Sequence, residues 1–430
     1  MISSATDRAP RDTRALLWPT YAWTAAGTMV YLLWPALAPV LLPLCLVMPI
    51  AWFWHAHRRV VWFDVSSVSL VVLVAACYAL INSQWSMARD EAHAYAGMLF
   101  VVFVCLHFGL GAWAQIGHKP VTTATAVGFY VGFALAGCLL CFEILSHHAI
   151  YFQLVATFPR LYPQSAKYLS SGALPSHFLN HRMTALAIMF WPALLTTLRL
   201  AATSWRQGLL LAGLLPSLVA IAFSEHATSR VALAVGACVA VVCHWSSRTA
   251  QRLLMLSWII ACLAVVPLSL AAYAANMHHL RWLPPSAQDR LVIWKATSDL
   301  IPKAPVLGVG VHSGRVITRA ETERPKAPGT PYALSVGWHS HNAFLQVWFE
   351  TGAVGAGLLM CFGLLALRAI GMQDAAAQPA LFATFATCTM IASAAFSAFA
   401  PWLVASFAVC ALFAALATAQ VAASRSASAC

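Results

Sequence analysis

The segment Gly337-Trp338-His339-Ser340-His341-Asn342-Ala343-Phe344-Leu345-Gln346 ends the longest polar interruption of the chain and begins an apolar helix. The interruption starts near Leu280, and the helix continues through Glu350-Thr351-Gly352-Ala353-Val354-Gly355. Eight basic residues outnumber four acidic ones in the interruption: Arg281, Arg290, Lys295, Lys303, Arg315, Arg319, Arg324 and Lys326 against Asp289, Asp299, Glu321 and Glu323. A net positive segment that ends in two histidines at a helix start indicates a site that handles anions.

The composition indicates a membrane protein. Of the 430 residues, 61% are hydrophobic and 9% are charged, whereas charged residues make up about 25% of a typical soluble domain. Apolar runs of about 18 residues or more recur, and each can cross a hydrocarbon core of roughly 30 Å as a helix. The polar start, Met1 to Arg14, is followed by no small-residue cleavage site, so we expect the first span to be retained. The predicted fold class is an all-α, polytopic transmembrane helical bundle.

The apolar runs predict about twelve spans. They lie near residues 16–34, 37–55, 65–83, 93–115, 121–145, 184–203, 207–224, 229–246, 252–274, 342–371, 379–398 and 401–423. Two polar segments are too long for tight turns, a smaller one at 147–183 and a larger one at 275–341. We therefore expect spans one to nine within residues 1–274, a large loop with short helices at 275–341, and spans ten to twelve with a tail at 342–430.

Basic residues in the short loops predict the orientation, because cytoplasmic loops carry an excess of Lys and Arg. One side holds twelve: Arg8, Arg11, Arg14, Arg58, Arg59, Lys119, Arg199, Arg206, Arg248, Arg252, Arg368 and Arg425. The short loops of the other side hold only Arg89 and Arg230. Both termini are therefore expected to be cytoplasmic, with the two long loops outside. Eleven further basic residues, including Arg160, Lys167 and Arg182, lie in those outer loops, where orientation does not require them.

The histidine pair is the first candidate for chemistry. Asn342, or His341 before it, is expected to be the N-cap of the following helix. Both His339 and His341 then lie near the positive end of the helix dipole, which favours a neutral imidazole. A neutral imidazole can accept a proton. The alternative interpretation is a polar helix cap at a membrane surface.

A second candidate is the turn Glu225-His226-Ala227-Thr228-Ser229-Arg230, which lies between two apolar runs. A Glu, a His and an Arg in so short a turn are costly unless they pair or face water, so such a turn is a functional-site hypothesis by default. The alternative is a structural ion pair between Glu225 and Arg230 that closes the turn.

A third candidate is Arg290, within a short amphipathic helix predicted at 286–301 with Ser286 as its N-cap. The guanidinium group presents a planar fork of donors that suits phosphate oxygens, and it stays charged at any relevant pH. The alternative is an exposed helix on which Arg290 forms a surface ion pair of little energetic value.

The element Asn180-His181-Arg182 closes the smaller outer loop and is a fourth candidate, although for Arg182 alone a snorkelling side chain at the membrane interface is the better interpretation. Three other kinds of site are not expected. The cysteines lie in apolar runs or at the C-terminus and indicate neither disulfides nor zinc. No acidic or cysteine cluster completes a metal site beside the histidines. No glycine-rich phosphate loop or paired-aspartate motif indicates a nucleotide, and no nucleic-acid partner is expected.

Taken together, these features resemble the O-antigen ligase and polymerase superfamily. The resemblance rests on the topology, on Pro305-Val306-Leu307-Gly308-Val309-Gly310, on His341-Asn342-Ala343-Phe344-Leu345-Gln346, and on Glu350-Thr351-Gly352 with Gly355. It implies a glycosyltransferase without metal or other cofactor on the periplasmic face of the bacterial inner membrane. The implied donor is a glycan on undecaprenyl pyrophosphate. For a ligase, the implied acceptor is lipid A-core, giving complete lipopolysaccharide.

The resemblance also implies roles for individual residues. Arg230 and Arg290, the latter with Trp294 in its expected place, match the family's arginines, and His341 matches its histidine, with His339 as a neighbour. The arginines would stabilise the departing pyrophosphate, and a histidine would take the proton of the attacking hydroxyl in an inverting transfer. Which histidine is the base stays open, and Glu225 is a further candidate. Substrate-binding roles are expected for Arg182, Asn342, Trp294, His181 and Arg89.

Two alternatives remain open on the sequence. One is a different enzyme of the same superfamily, either an O-antigen polymerase or a protein O-oligosaccharyltransferase; the modest size of the first outer loop favours the ligase. The other is a transporter for a lipid-linked sugar, which would use the outer arginines to attract an anionic lipid. Acidic residues inside the apolar runs are few, chiefly Glu143 and Glu350, which makes a transporter less favoured. The oligomeric state does not follow from the sequence.

Overall fold

The computed structural model describes residues 14–57, 65–116, 120–158, 179–200, 204–322 and 339–419. Across these ranges the regular secondary structure is helical, which confirms the all-α class for the described residues. Several charged residues that support the predicted orientation or loop charge lie outside them: Arg8, Arg11, Arg58, Arg59, Lys119, Arg160, Lys167, Glu323, Arg324, Lys326 and Arg425.

The described α-helices follow one another in chain order. They are α1 (Leu17–Leu33), α2 (Ala38–Leu44), α3 (Val47–His57), α4 (Ser67–Asn82), α5 (Arg89–Ile116), α6 (Pro120–Leu145), α7 (Ala149–Thr157), α8 (Asn180–Leu200), α9 (Ser204–Ala212), α10 (Leu215–Phe223), α11 (Ala227–Trp245), α12 (Ser247–Ala274), α13 (Pro285–Leu300), α14 (Ser313–Thr322), α15 (Ala343–Gly371), α16 (Gln378–Ala394) and α17 (Pro401–Ala419). Short 3-10 turns occur at Arg14–Leu16, Pro35–Leu37, Ser83–Trp85, Met277–His279 and Ile301–Lys303.

The protein is a multi-pass membrane protein. In the described part of the chain, ten helical segments are long and apolar enough to cross a bilayer: Pro35–His55, Ser67–Trp85, Arg89–Ile116, Pro120–Leu145, Asn180–Leu200, Ser204–Phe223, Ala227–Trp245, Ser247–Ala274, Ala343–Gly371 and Pro401–Ala419. The other two predicted spans correspond to α1 and α16, each of 17 residues. At about 1.5 Å per residue such a helix covers only about 25 Å, so the total of twelve spans stays a prediction.

The chain forms two compact units. The first comprises Met1–Asp64, Cys105–Arg230 and Ala408–Cys430, and the second comprises Val65–Val104 and Val231–Phe407. The boundaries between the units fall inside α5, α11 and α17. The sequence predicts a different division, into spans one to nine, a large loop and spans ten to twelve, at 1–274, 275–341 and 342–430. That division describes membrane topology, not compact units, and it stays a prediction.

In the first unit, α1 packs against α6 through two glycines one helical turn apart. A Cβ atom at Gly128 would lie 2.6 Å from the Tyr21 carbonyl oxygen, and one at Gly132 would lie 2.4 Å from the Ala25 carbonyl oxygen. Lipid chains are as apolar as the side chains of a helix, so close backbone approach at small residues is a main source of helix association in membranes. The spacing of these two glycines therefore brings α1 onto α6.

In the second unit, α15 packs against α12 around Trp258. The indole N–H of Trp258 donates to the Leu359 carbonyl over 3.3 Å, and a Cβ atom at Gly363 would lie 2.0 Å from the ring. Trp258 shares a buried cluster with Phe344 and Phe349 at the start of α15. This packing holds the first turns of α15, and with them the histidine segment, against a long membrane helix.

The short helix predicted at 286–301 is present as α13, but its predicted N-cap is wrong. The helix begins at Pro285, Pro284 occupies the cap position, and no side-chain cap hydrogen bond is formed there. Proline suits the first helical position because its φ angle is already helical and its missing N–H would have no helical partner. The prolines therefore start the helix one residue before Ser286.

The longest membrane helix, α15, is broken at Gly352, which has φ 63° and ψ −163°. The backbone groups on either side of the break pair with the segment at 305–310. The N–H groups of Val309 and Gly310 donate to the carbonyls of Phe349 and Glu350 over 3.1 and 2.9 Å, and those of Ala353 and Val354 donate to Pro305 and Val306 over 2.9 and 3.2 Å. Irregular backbone in a membrane helix is tolerated where such partners exist. The two glycine-containing motifs of the resemblance are thus partners of each other.

Candidate active site

His339 and His341 lie in contact at the start of α15, with their ring centroids 4.0 Å apart at an angle of 45°. The backbone at His341 is left-handed, with φ 52°. Its Nδ1 atom lies 2.7 Å from the carbonyl oxygen of Ala395. A carbonyl only accepts, so Nδ1 carries the hydrogen and the neutral ring has its lone pair on Nε2. His341 therefore offers a proton acceptor of defined orientation.

Both imidazoles are held in the neutral state. Burial, followed by His341 and the positive charges of Arg315 and Arg290, lowers the pKa of His339 to about 3. The Nε2 atom of His339 is buried without a hydrogen-bond partner among the described residues. Burial also lowers the pKa of His341, an effect that the Ala395 hydrogen bond opposes and the charge of Arg290 reinforces. A histidine ordinarily titrates near pH 6.5, so both rings are uncharged at neutral pH.

Two arginines supply positive charge beside the histidines. Arg290 is half-buried on α13, and Arg315 lies exposed in the first turn of α14. Both charges act on His339, and burial lowers the pKa of the Arg290 guanidinium itself. Arg290 was predicted, but Arg315 was one of eight basic residues in a long loop that no motif singled out. The one sequence feature that could have indicated Arg315 is its position five residues after Gly310, the end of the Pro305–Gly310 motif.

Trp294 joins α13 to the histidine segment. Its indole N–H donates to the Ser340 carbonyl over 2.8 Å. Residues four apart lie on the same face of a helix, so the anchor at Trp294 also directs Arg290 toward the histidines. On the other side, Asn342 is the N-cap of α15, as predicted, because its side-chain oxygen accepts from the Leu345 N–H over 3.2 Å.

A buried carboxylate lies about two turns into α15. Glu350 is 2% exposed, and it accepts hydrogen bonds from the His312 backbone N–H and, over 3.1 Å, from the Gln346 side chain. Around it, the rings of Tyr95, His312 and Phe399 contact one another with centroids 5.0–6.0 Å apart. The sequence indicated Glu350 as an acid within a span and as part of the Glu350-Thr351-Gly352 motif of the resemblance, but it assigned this residue no role in the site.

Four of the remaining predicted residues belong to the first unit. Glu225 and Arg230 are exposed at the turn before and the start of α11. His181 is exposed, and the Nε of Arg182 donates to the Leu33 carbonyl over 2.7 Å. The charges of Glu225 and Arg182 both act on His148, whose pKa is lowered chiefly by burial. Two candidates from distant loops are therefore neighbours of one histidine.

Arg89 belongs to the second unit, at the start of α5. Its guanidinium donates to the Gln84 carbonyl over 2.8 Å and is otherwise exposed. Among the described residues, no group of three or more His, Cys, Asp and Glu side chains is suited to hold a metal ion. The catalytic and substrate-binding roles of all these residues stay predictions.

Comparison with known proteins adds independent information. The sequence profile of the O-antigen ligase family matches residues 212–360. A protein of Rickettsia conorii whose name describes a polysaccharide ligase is 34% identical over 77 residues, which are 18% of this chain and 18% of that protein. A protein of Rickettsia typhi with the same description is 35% identical over 80 residues, 18% of this chain and 19% of its own length. The chain thus spans about a fifth of the length of these relatives.

The matched segment contains the turn at Glu225, all of α13 and α14, the histidine pair and the break in α15. The resemblance to the O-antigen ligase and polymerase superfamily that the sequence predicts is therefore confirmed across residues 212–360.

Proposed function

We propose that this protein is an O-antigen ligase, a glycosyltransferase that moves a glycan from undecaprenyl pyrophosphate to lipid A-core without a metal ion or other cofactor. The reaction would take place on the periplasmic face of the bacterial inner membrane, with both termini in the cytoplasm. The single observation that carries this proposal is the hydrogen bond from His341 to Ala395, which leaves the lone pair of Nε2 to accept a proton near the positive charge of Arg290.

The proposed reaction balances through these groups. An acceptor hydroxyl attacks the anomeric carbon of the donor sugar, and the bond from that carbon to the pyrophosphate oxygen breaks. The electron pair of that bond goes to the pyrophosphate, where Arg290 and Arg315 stabilise the new negative charge. The hydroxyl proton goes to Nε2 of His341. A direct displacement of this kind inverts the anomeric carbon and needs no covalent intermediate.

His339 is better suited to another role than that of the base. Its pKa, lowered to about 3 mainly by burial, makes it a poor proton acceptor, whereas the Ala395 hydrogen bond opposes the lowering of the pKa of His341. Its unpartnered Nε2 is available to bind a sugar hydroxyl or an oxygen of the donor. We therefore assign the base to His341 and substrate binding to His339.

Other residues take part in the proposal as predicted from the sequence. Arg230 would contribute further positive charge for the pyrophosphate, and Glu225 would be an alternative base. Arg182, His181 and Arg89 would bind substrate from the outer side. Trp294 and Asn342 hold the histidine segment by hydrogen bonds, so their contribution to substrate binding includes keeping that segment in place.

Both proposed substrates are lipids, and the membrane is therefore a partner in the reaction. Their anchors cannot leave the bilayer, so we expect the donor and the acceptor to enter sideways from the outer leaflet. The eleven basic residues of the two long outer loops would favour association with anionic lipid-linked sugars.

An assay of transfer in vitro tests the proposal. Purified protein in liposomes is given labelled undecaprenyl-pyrophosphate glycan and lipid A-core, with and without a chelator. We expect labelled lipopolysaccharide in both cases. Elongation of the lipid-linked glycan alone would indicate a polymerase, and transfer to protein would indicate an oligosaccharyltransferase. Movement of the donor across the bilayer without a new glycosidic bond would indicate a transporter and overturn the proposal.

Two matched variants distinguish a specific role of Arg290 in the site from a general effect of the positive charge of the loop. Arg290→Ala should lower the transfer rate roughly 10²-fold, as expected when one stabilising donor is lost. Arg281→Ala removes an exposed basic residue of the same loop and should change the rate little. Equal effects of the two substitutions would indicate that only the charge of the loop matters.

A further inference from the structure

We propose that Glu350 is a positioning residue of this site, because its buried carboxylate holds both the helix that carries Arg315 and the turn that orients His341. The expected effect of Glu350 on the rate of glycan transfer rests on the proposed function. Its structural part, the control of two neighbouring segments, can be measured without any substrate.

Glu350 has no access to a substrate. Its side chain lies in the interior of the second unit and is 2% exposed. A buried carboxylate costs much free energy unless hydrogen bonds compensate it. Both of its oxygens are used in this way, one by the His312 backbone N–H and the other by the Gln346 side chain. Glu350 therefore acts through the groups that it binds.

The first of these groups is the N-terminus of α14. His312 immediately precedes this ten-residue helix, and its N–H donates to Oε2 of Glu350. A Cβ atom at Gly314 would lie 2.9 Å from Oε1 of the same carboxylate. Free N–H groups and the helix dipole make such a terminus favourable for a negative charge. The carboxylate thereby fixes the first turn of α14, from which Arg315 projects.

The second group is the side-chain amide of Gln346. Its nitrogen donates to Oε1 of Glu350 over 3.1 Å and to the Ser397 hydroxyl over 3.0 Å. Its oxygen accepts from the Ala398 N–H over 2.9 Å. Because a carboxylate only accepts and a backbone N–H only donates, Glu350 and Ala398 together determine which way this amide points. The amide in turn holds the segment between α16 and α17.

That segment contains the partner of the proposed base. Ala395 lies two residues before Ser397, and its carbonyl accepts the Nδ1 hydrogen of His341 over 2.7 Å. Glu350 is therefore linked to His341 by hydrogen bonds through Gln346 and Ser397, by the backbone from Ser397 to Ala395, and by the hydrogen bond that fixes the tautomer of His341. The same carboxylate thus sets the position of a cation and the orientation of a base.

The test compares Glu350→Gln with the wild-type protein. The glutamine has nearly the same shape, but its amide can accept a hydrogen bond on only one side, so at least one of the two attachments should be lost. We expect the turnover number to fall about 10²-fold, the loss that a displacement near 1 Å can cause. The KM for the donor should change less than about threefold, because Glu350 does not touch substrate. Asp374→Asn, at the opposite end of α15, is the control and should leave the rate unchanged.

A spectroscopic readout makes the test independent of activity. Protein with ¹⁵N-labelled histidine in nanodiscs gives the tautomer of His341, whose signal is assigned with His341→Gln. We expect the Nδ1–H form in the wild type and a mixture of forms in Glu350→Gln. If the tautomer shifts but the wild type transfers no glycan, the proposed function fails and the positioning role stands. An unchanged tautomer with an unchanged rate would overturn the positioning role.

Two further variants guard against trivial explanations. Should Glu350→Gln fail to fold, Gly314→Ala pushes on the same carboxylate from the α14 side and should also lower the turnover number. The double variant Gln346→Glu, Glu350→Gln keeps one carboxylate in the cluster but moves it away from α14. We expect no rescue from this exchange. Full rescue would indicate that the cluster needs only its net charge, which would contradict the proposal.

Discussion

The indole nitrogen of Trp294 donates a hydrogen bond over 2.8 Å to the carbonyl oxygen of Ser340. Ser340 is the residue between the two histidines of the candidate site. Through this contact the loop helix α13 and the start of α15 are held together, although 46 residues separate the two partners. The contact is the structural reason for the proximity of Arg290 to the imidazoles.

Replacing this tryptophan should therefore weaken the site without unfolding the protein. Trp294→Phe keeps an aromatic ring but removes the donor, and a lost hydrogen bond of this kind costs about 1 kcal/mol. We expect the transfer rate to fall about 10-fold with little change in Tm. Trp282→Phe, at a residue that is 74% exposed, should have no effect on the rate. A rate equal to that of the wild type in Trp294→Phe would show that the contact does not position Arg290.

The break in α15 predicts that substitution by alanine destabilises the protein at one glycine of this helix and not at another. Gly352→Ala places a Cβ 2.3 Å from the Val306 carbonyl oxygen in a backbone conformation of φ 63°, a region that only glycine adopts readily. We expect at least about 1–3 kcal/mol of destabilisation, seen as a lower Tm and poor recovery from membranes. Gly357→Ala meets nothing within 4 Å and should behave like the wild type. Equal Tm values for both variants would contradict the paired geometry of residues 305–310 and the break.

The transfer rate should depend on pH through His341. Its pKa lies below the ordinary value of about 6.5, chiefly because of burial. A base works in its unprotonated form, so the rate should be constant at neutral pH and stay near its maximum as the pH falls to 6.5. It should then fall as the pH passes through the lowered pKa. A rate profile with its midpoint above pH 6.5 would be inconsistent with a buried imidazole as the base.

Arg315 should matter for the rate although its ion pair with Glu91 is weak. The two charged groups are 3.7 Å apart and largely exposed, and such pairs contribute little to stability. We expect Arg315→Ala to lower the transfer rate roughly 10²-fold without a measurable change in Tm, and Arg315→Lys to recover part of the loss. A rate unaffected by Arg315→Ala would remove this residue from the proposed site.

Much of the architecture follows from local properties of the sequence. The apolar runs predict the membrane helices, and the helix start at Asn342 follows from the capping preference of asparagine. The start of α13 did not follow, because two prolines override the preference of Ser286 for the cap. The lengths of α1 and α16 were also overestimated, since apolar residues that flank a short helix extend the apparent run.

The site was predictable only in part, because its remaining features depend on contacts between distant residues. The motif at Pro305 and the motif at Gly352 were both evident, but only the structure shows that their backbones pair. The roles of Arg315 and Glu350 depend on the packing of α14 against α15, which no periodicity indicates. Ala395 has no chemical signal in its side chain, because it contributes only a carbonyl oxygen to His341.

The central claim is that His341 takes the proton of the acceptor hydroxyl, and its most direct test is the rate of glycan transfer by His341→Ala. Loss of a general base predicts a rate about 10²–10⁴-fold lower, with folding and donor binding retained. His279→Ala removes an exposed histidine of the same unit and should leave the rate unchanged. Transfer by His341→Ala at the wild-type rate would contradict the account.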